Sequence, residues 1–584
     1  MDSRGYPSRR MTHVDLRLSA KTFVFLFHSF TKFLHNQSTS HHLLTVESHL
    51  STCSSGAMED RLSSLPDDLL HSILRDLPLK HAVRTSALSR RWVPQWIRAL
   101  ADSPVLDFTD RDFARGQPPA RAAATVGRCL RLHAEHGTPL DAFRVAPVSP
   151  PGPGYGAFGR DVIGWVAAAL ARGAREVEVD LTPPSREGAD HGSAAFLDLP
   201  GDLFQARSSL ERLALGRLSL RAVPLPAAGL AGLRSLSLSH TDVTDEAVRG
   251  VLAGCPALES LSLRCCALLT AVRVAGERLR ALELLGCRAV RELRVAAPAL
   301  ESFALYGDVI LSTADWCESV AVDFAAAPAL RDVYLSHMVG FDTLDRNHDH
   351  YYPFVYHVPQ ARILTLCSVG LVVPLLSRDS DDDDRFDHLP YAHVNAGEDT
   401  YIDMPNLQEL QLLLGSLEEE ILSQDPRFPE RVYYFFQNTS LPVLERLFIR
   451  LSSNPAHGSS SSATALADED EDDDDKDIGF RYEIVLGQLT FIKVVHFRGT
   501  WRERRLVVFL LERAPILEQL VLVMAEGGGA PGDERLEDIQ EWVSALQKAS
   551  REARTSVCRP SEDDSPNHAH TRFFHEDYCC NHQE

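Results

Sequence analysis

Lysine is scarce in this chain of 584 residues, where only six of the 59 basic side chains are lysines and the rest are arginines. Cysteine is sparse too, since eleven thiols are scattered without the density or spacing of a disulfide-stapled secreted domain, which favours a reducing compartment. No apolar run is long enough to span a bilayer. We therefore expect a protein of the nucleus, the cytoplasm or both, with no membrane contact.

Motifs that carry catalysis are missing as well. The sequence contains no nucleophile elbow, no His-Glu-x-x-His and no phosphate loop. The run GYGAFG at Gly154–Gly159 fits G-x-G-x-x-G, but it follows a Pro-rich run rather than a strand, which predicts a loop instead of a dinucleotide site. The sequence predicts a protein that is not an enzyme and that takes no cofactor.

Histidine is concentrated in two places. The runs His348–His357 and His568–His582 both bring imidazoles together, and the second also carries Cys579 and Cys580. Transition metals take such ligands, but nothing around either run indicates a preformed site. The favoured interpretation is that the chain holds no metal, and a metal-binding tail is the alternative.

The net charge of −22 argues against nonspecific binding to nucleic acid. Much of it is local, because residues 468–477 contain nine acids and residues 379–387 contain six. We interpret these runs as solvated insertions near 378–400 and 455–478. A weaker alternative is that the second run attracts a basic partner.

The body of the chain repeats one pattern, L-x-x-L-x-L. It begins at Leu210, Leu233, Leu258, Leu279, Leu300, Leu330, Ala361, Leu407, Leu444, Ile492 and Leu517, with weaker copies at Leu140 and Ala174. The L-x-L part has period two and predicts a short strand with one buried face, and such units must stack to cover that face. Cys266 and Cys287 stand where a leucine-rich repeat turns inward with Asn or Cys, which we favour over a metal site formed with Cys265. The pattern predicts an α/β leucine-rich repeat solenoid with irregular repeats over residues 101–485.

A different pattern precedes the repeats, in residues 62–97. Leu65-Pro66 and the acids Asp67 and Asp68 are typical of a helix start. Apolar residues then recur at helical spacing at Leu69, Leu70, Ile73, Leu74 and Leu77. The segment predicts three short helices with more apolar surface than so small a unit can bury, so we expect it to dock on another protein.

This segment resembles the F-box, through LPDDLL at residues 65–70, ILRDLP at residues 73–78 and RTSALSRRW at residues 84–92. The resemblance implies a small all-α three-helix F-box over residues 58–100 that docks on a Skp-type adaptor and through it on a cullin. It also implies that Trp92 packs within the module. The adaptor contacts that it implies are Leu65, Pro66, Leu69, Ile73, Leu74 and Leu77.

The block from His496 to Val523 resembles the FBD domain of plant F-box proteins, with a strand, a Gly turn, an amphipathic helix, a Pro turn and a strand. We place this FBD-like region at residues 486–525 and expect a C-terminal helix and a disordered tail over residues 526–584. Residues 1–57 have the composition of a transit peptide, but we favour a disordered extension or an unused upstream start, because Met58 opens the natural beginning MEDRLSSLP.

Together these resemblances imply the substrate-recognition subunit of an SCF-type cullin ubiquitin ligase. The F-box would hold the adaptor, and the concave sheet of the repeats would bind a target protein. Two alternatives stay open at this point: a scaffold that binds the adaptor without directing degradation, and a co-receptor that binds a small molecule on the solenoid. The target itself is not encoded in any pattern that we can interpret.

Overall fold

The structure is a computed structural model, and it describes residues 65–75, 77, 79–85, 91–109, 113, 119–146, 156–182, 196–287, 289–306, 321–336, 355, 357–367, 402–413, 428–437, 439–451, 484–525 and 533–570. Residues 1–57, both acidic insertions and nearly all of His348–His357 lie outside this part. Among the described residues, no helix combines the length and the apolar character needed to cross a bilayer.

The described helices lie at both ends of the chain and between the strands. They are α1 (Asp67–Arg75), α2 (Leu79–Arg84), α3 (Trp92–Asp102), α4 (Pro119–His136), α5 (Gly156–Ala171), α6 (Asp245–Gly254), α7 (Phe428–Gln437), α8 (Trp501–Arg513) and α9 (Asp533–Ala545).

The strands are short, and five residues is their usual length. In chain order they are β1 (Val105–Phe108), β2 (Ala142–Val145), β3 (Glu176–Asp180), β4 (Leu197–Asp198), β5 (Arg212–Gly216), β6 (Leu218–Ser219), β7 (Ser235–Ser239), β8 (Ser260–Arg264), β9 (Ala271–Ala275), β10 (Ala281–Leu285), β11 (Glu292–Ala296), β12 (Ser302–Tyr306), β13 (Ala321–Asp323), β14 (Asp332–Ser336), β15 (Ile363–Cys367), β16 (Ile402–Asp403), β17 (Glu409–Leu413), β18 (Thr439–Ser440), β19 (Arg446–Arg450), β20 (Phe491–Phe497), β21 (Gln519–Met524) and β22 (Arg554–Cys558).

Fifteen of these strands form one parallel sheet, in the order β1-β2-β3-β5-β7-β8-β10-β12-β14-β15-β17-β19-β20-β21-β22. Strands β9, β11 and β13 form a separate three-stranded sheet. The architecture is therefore α/β with a large parallel sheet, as the repeat pattern predicts.

The leucines of the repeat decide which face of the large sheet is buried in the main core. In β7, Leu236 and Leu238 are 2% and 1% exposed, whereas the serines between and beside them are half-buried. The leading leucine of that unit, Leu233, is 0% exposed and closes the core in front of the strand. Burial of these side chains is the main stabilising term of the stack, at roughly 2 kcal/mol for each one.

The opposite face of the sheet, which we call the second face, carries one continuous row of side chains. The central position of each strand pairs with the next, in the order Asp107, Arg144, Glu178, Ala214, Ser237, Ser262, Glu283, Ala304, Tyr334, Thr365, Gln411, Phe448, Lys493, Val521 and Ser556. We call this set the central row. It places residues from the whole length of the chain on one surface.

Each strand in the middle of the sheet ends in a residue that turns the chain inward. His240, Cys265 and Gly286 follow β7, β8 and β10 with φ of 49°, 50° and 68°. Their N–H groups donate to the carbonyl at the end of the next strand, at 2.7, 2.7 and 2.5 Å. The turn after each strand directs the next residue inward. Cys266 and Cys287, predicted to point inward, are accordingly both 0% exposed.

Every predicted L-x-x-L-x-L position, the weaker ones included, holds a strand of the large sheet. The repeat pattern did not predict β1 and β22, whose segments lack leucines at this spacing, nor the three-stranded sheet. The predicted loop at Gly154–Gly159 is wrong from Gly156 onward, because helix α5 begins there.

The largest difference lies at the C-terminus. Helix α9 occupies the predicted place, but the prediction of a disordered tail is wrong for residues 554–570. These form the edge strand β22 and a segment that packs on the second face.

A strand, a helix and a strand follow one another near the C-terminal end of the large sheet. They are β20, α8 and β21. Gly499 takes φ of 73° in the turn before the helix. Thr500 then starts α8 with a capping box, because its hydroxyl accepts from Glu503 N and the Glu503 carboxylate accepts from Thr500 N at 3.2 Å.

Candidate functional site

Helix α1 begins where the sequence predicts. The Pro66 carbonyl accepts hydrogen bonds from the backbone N–H groups of Leu69 and Leu70, both at 3.1 Å. Asp67 in the first turn accepts from Arg91 Nε at 3.0 Å, which links the start of α1 to the residue before α3. A carboxylate is favourable at that end of a helix because the helix dipole is positive there.

The apolar residues of α1 divide into two groups. Leu70 and Leu74 are 0% and 2% exposed and form the interior of the helical unit. Leu69 is 52% exposed, although it is a large apolar side chain. The helix therefore holds itself in place with one face and leaves another open to solvent.

The six residues implied as adaptor contacts differ in their exposure. Pro66 and Leu69 are exposed, and Leu65, Ile73 and Leu77 are half-buried, whereas Leu74 lies in the interior. Leu74 thus supports the helix from inside and offers no surface in the free chain. The other five residues each keep part of their surface open to solvent.

Helix α3 connects this unit to the sheet. Trp92, 1% exposed, packs inside the unit as expected, and it contributes a large part of so small a core. Leu100 belongs to the main hydrophobic core of the sheet, and Trp96 packs against that core. The helical unit therefore rests on the first elements of the sheet rather than hanging from a linker.

The second face in the first half of the sheet is polar and partly open to solvent. Arg144 Nε donates to Glu176 at 2.7 Å, and Arg144 also approaches Asp107 at 3.3 Å. Further along, Arg264 donates to Glu283 at 2.8 Å. Each of these side chains keeps between 19% and 39% of its surface exposed to solvent.

The second face in the other half of the sheet is buried. Every position of the central row from Ala304 to Val521 is less than a tenth exposed. Two charged side chains on this face are buried. Lys493 in the central row and Glu409 at the start of β17 are each 1% exposed. Buried charges are costly unless they are paired, so their partners define the chemistry of this surface.

The partners of Lys493 come from the segment that follows β22. Its ammonium contacts the Asp563 carboxylate at 2.6 Å and donates to Asn567 Oδ1 at 2.8 Å and to the Pro566 carbonyl at 3.3 Å. All three donor positions of the ammonium have acceptors, and each acceptor lies in the C-terminal segment.

The partners of Glu409 come from the same segment and from the neighbouring strand. Glu409 Oε1 accepts from the backbone N–H of Ala569 at 2.8 Å, and its other oxygen pairs with Arg446 of β19. Two strands further along the sheet, His570 Nε2 donates to the Asp332 carboxylate, and the His570 ring lies 5.6 Å from the ring of Tyr334.

His568 is the most buried imidazole of the segment, at 5% exposed. Burial, followed by the charge of His570, lowers its pKa to about 3, so the ring is neutral. Its Nδ1 accepts from the backbone N–H of His570 at 2.9 Å, which leaves the proton on Nε2, 3.5 Å from Glu409. Because Arg446 already neutralises Glu409, that carboxylate does little to raise the pKa of the ring.

Asp563 is held as a carboxylate. Burial raises its pKa, but the hydrogen bonds from Lys493 and from the hydroxyl and N–H of Ser565 outweigh burial and hold the pKa below its usual range. The segment therefore presents one anionic side chain and two imidazoles to the sheet. We call residues 563–570 the strap.

The predicted metal-binding tail begins within the strap. His568 and His570 lie with ring centroids 5.6 Å apart, but Nδ1 of the first and Nε2 of the second already make hydrogen bonds. In the part of the chain that the structure describes, no group of three or more His, Cys, Asp or Glu side chains is placed to hold a metal ion. The rest of the tail, from residue 571, lies outside that part.

Sequence reasoning missed Glu409 and Lys493 because the x positions of the repeat face away from the core and read as solvated. A signal was present in the strand IKVVHF, where a lone lysine stands among apolar residues. The strap has no repeat pattern, so nothing in the sequence indicated where it would lie.

Known proteins resemble two parts of the chain. A profile of the F-box domain matches residues 62–92, and a profile described as FBD-associated F-box protein At5g56370, LRR repeats, matches residues 162–343. The first match covers α1 and α2, and the second covers the middle of the large sheet.

Individual proteins of Arabidopsis thaliana also match part of the chain. F-box protein At5g03100 is 31% identical over 257 residues, which are 43% of this chain and 71% of the relative. F-box/FBD/LRR-repeat protein At3g52680 is 32% identical over 207 residues, 35% of this chain and 40% of the relative. Putative F-box/LRR-repeat protein At5g02700 is 29% identical over 204 residues, 35% of this chain and 38% of the relative. The helical unit, the repeats and these relatives agree, and the chain belongs to the plant F-box proteins with leucine-rich repeats.

Proposed function

We propose that this chain is the substrate-recognition subunit of an SCF-type ubiquitin ligase. Its F-box binds a Skp-type adaptor, and the adaptor links it to a cullin. Proteins of this family are in general adaptors rather than enzymes. The observation that carries the proposal is the open apolar face of α1, where Leu69 is 52% exposed while Leu70 and Leu74 hold the helix from inside.

The mechanism is proximity. A target held on the sheet is brought close to the ubiquitin-loaded enzyme that the cullin recruits, which raises its effective concentration there. The chain itself supplies two binding surfaces on one rigid support, because α3 packs into the core of the sheet. We place this activity in the nucleus or the cytoplasm.

The adaptor surface consists of Leu65, Pro66, Leu69, Ile73 and Leu77. The double variant Leu65→Ala/Pro66→Ala and the single variant Leu69→Ala should each weaken adaptor binding at least tenfold, because they remove apolar area from the centre of the interface. The measurement is titration calorimetry with a purified plant Skp-type adaptor.

Leu268→Ala is the matched control, because Leu268 is a leucine of similar exposure, 43%, in the repeats. It should bind the adaptor as the wild type does. Unchanged binding by both α1 variants would refute the adaptor surface. Capture of cullin with no turnover of a co-captured protein would favour a scaffold that does not direct degradation.

Residues 101–485 form, in this proposal, a solenoid of irregular leucine-rich repeats, and residues 486–525 form an FBD-like end. The order β20, α8, β21 supports this assignment. Strand β22 pairs with β21 and extends the sheet one strand beyond that end.

A further inference from the structure

We propose that the second face between Asp332 and Lys493 is a groove for a peptide of the target, and that the strap fills this groove in the free chain as an internal copy of that ligand. The peptide carries a carboxylate that Lys493 binds. Six residues later a backbone N–H binds Glu409, and one residue further a histidine or another N–H donor binds Asp332. This proposal rests on the proposed function, because it names the kind of target that the repeats hold.

The carboxylate end of the groove is specific because Lys493 is buried. An ammonium that is 1% exposed needs an anionic partner and further acceptors, and the strap supplies Asp563, Asn567 Oδ1 and a backbone carbonyl. A neutral side chain in place of Asp563 would leave that charge unpaired. The lysine therefore selects an acid in a turn that also brings a backbone carbonyl and, four residues after the acid, a polar side chain to the same ammonium.

The other end selects donors. Glu409 accepts a backbone N–H of the strap at 2.8 Å, and Asp332 accepts an imidazole N–H. The Asp332 carboxylate would repel a phosphate group, so the groove does not suit nucleic acid or a phosphopeptide at this end. Lysine at one end and carboxylates at the other also fix the direction in which the peptide lies.

The middle of the groove combines an aromatic side chain with polar ones and is incompletely filled. The ring of His568 lies edge-on to Phe448 with centroids 5.3 Å apart, and Phe448 packs with Phe491 of β20. A cavity of about 320 Å³ remains beside the strap, lined by Gln411, Phe448 and Arg450 among others. A target with a larger side chain at the position of His568 fills this space, which gives it an advantage over the strap.

Displacement of the strap is feasible because its contacts with β17, β19 and β20 run through side chains of the sheet. The backbone groups of Pro566 and Ala569 bond the Lys493 and Glu409 side chains, not the edge of a strand. An internal ligand acts at an effective concentration of roughly millimolar, so it weakens the apparent affinity of a competing peptide without blocking it.

The test uses the full chain and a fluorescent peptide of residues 560–570, PSEDDSPNHAH. The variant Asp563→Ala/His568→Ala/His570→Ala weakens the strap in the protein. We expect the peptide to bind this triple variant at least tenfold more tightly than the wild type, measured by fluorescence anisotropy, because the groove is then vacant.

The peptide itself supplies the matched control. An Asp563→Ala peptide should bind the triple variant at least tenfold more weakly, whereas an Asp564→Ala peptide should bind as the parent does, because Asp564 is exposed and Asp563 contacts Lys493. These peptide changes leave the protein untouched, so misfolding cannot explain the difference. Equal binding of the two variant peptides overturns the proposal, and so does peptide binding that is lost on adding EDTA, which would assign the imidazoles to a metal.

Adaptor binding is measured on the same preparations. A triple variant that binds the adaptor but no peptide refutes the groove and leaves the proposed function standing. A wild-type protein that fails to bind the adaptor, with a triple variant that still binds the peptide, refutes the adaptor role and leaves the groove standing.

Discussion

The two halves of the large sheet share one backbone pattern and differ on the second face. From Asp107 to Glu283 the central row is mostly polar, and Asp107, Arg144 and Glu283 each pair with an opposite charge at the edge of solvent. From Ala304 to Val521 the row is buried, and its lysine pairs with a segment that is 70 or more residues away in the chain. The repeat thus sets the backbone of the sheet, while the surface chemistry varies independently along it.

The difference shows where binding specificity is stored. Charged pairs that reach water contribute little to stability, so side chains in the first half can change at small cost. A buried charge without a partner is strongly destabilising. The second half therefore accepts only an occupant with matching charges, which is the property of a recognition surface.

The largest effect is expected when one partner of the buried pair is removed. Asp563→Ala leaves Lys493 buried without its anionic partner and should lower the free energy of unfolding by about 3 kcal/mol. Glu283→Ala is the control in the first half, because its partner Arg264 is 19% exposed and can turn to water, and it should cost less than about 1 kcal/mol. Urea denaturation measures both, and equal losses would remove the distinction between the halves.

An intermediate effect is expected from acid. The pKa of His568 is about 3 in the folded chain and near 6.5 unfolded, so its contribution to stability is complete above pH 6.5 and is lost as pH falls toward 3. Between pH 6.5 and pH 5 the loss should be about 2 kcal/mol, at about 1.4 kcal/mol for each pH unit. The groups that face this ring are Glu409, Arg446 and His570.

His568→Gln should remove this part of the pH dependence, which calorimetric melting of the two proteins at pH 6.5 and pH 5 would show. A variant with the same pH dependence as the wild type would mean that the ring is not buried in solution, and the strap would then resemble the first half of the sheet.

The smallest effect is expected for the pairs of the first half. A double-mutant cycle on Arg144 and Glu176, whose atoms lie 2.7 Å apart, should give a coupling of about 0.5 to 1 kcal/mol, because both side chains touch water. One molar salt should reduce it further. A coupling energy above about 2 kcal/mol that salt does not change would contradict this prediction. The charged pairs on the first half of the sheet would then behave like the buried pairs of the second half.

Much of the fold follows from periodic residues. The alternating apolar pair seen at Leu236 and Leu238 recurs in the other units. This spacing predicts a strand, because a strand places alternate side chains on one face. Helix α8 lies between the Gly turn and the Pro turn, where the resemblance to the FBD domain implies an amphipathic helix. Strand β22 was not predicted, since its residues RTSVC have no leucine and pair as an edge strand.

The candidate sites were predicted unequally. The residues of α1 could be placed from their motif, although only burial separates Leu74 from Leu69. The groove could not be predicted, because Glu409 and Lys493 lie more than 80 residues apart and meet the strap only after the sheet has assembled.

The amino-acid sequence alone determined the repeated strand, the inward turn at Cys266 and Cys287, and the helical unit with its surplus apolar face. These are local features, since each depends on spacing within about ten residues. The tertiary structure decided which side chains share the second face and that the C-terminal segment returns to cover Lys493. That contact joins residues 70 or more positions apart, and its energy comes from burying a charge, a quantity that no local pattern contains.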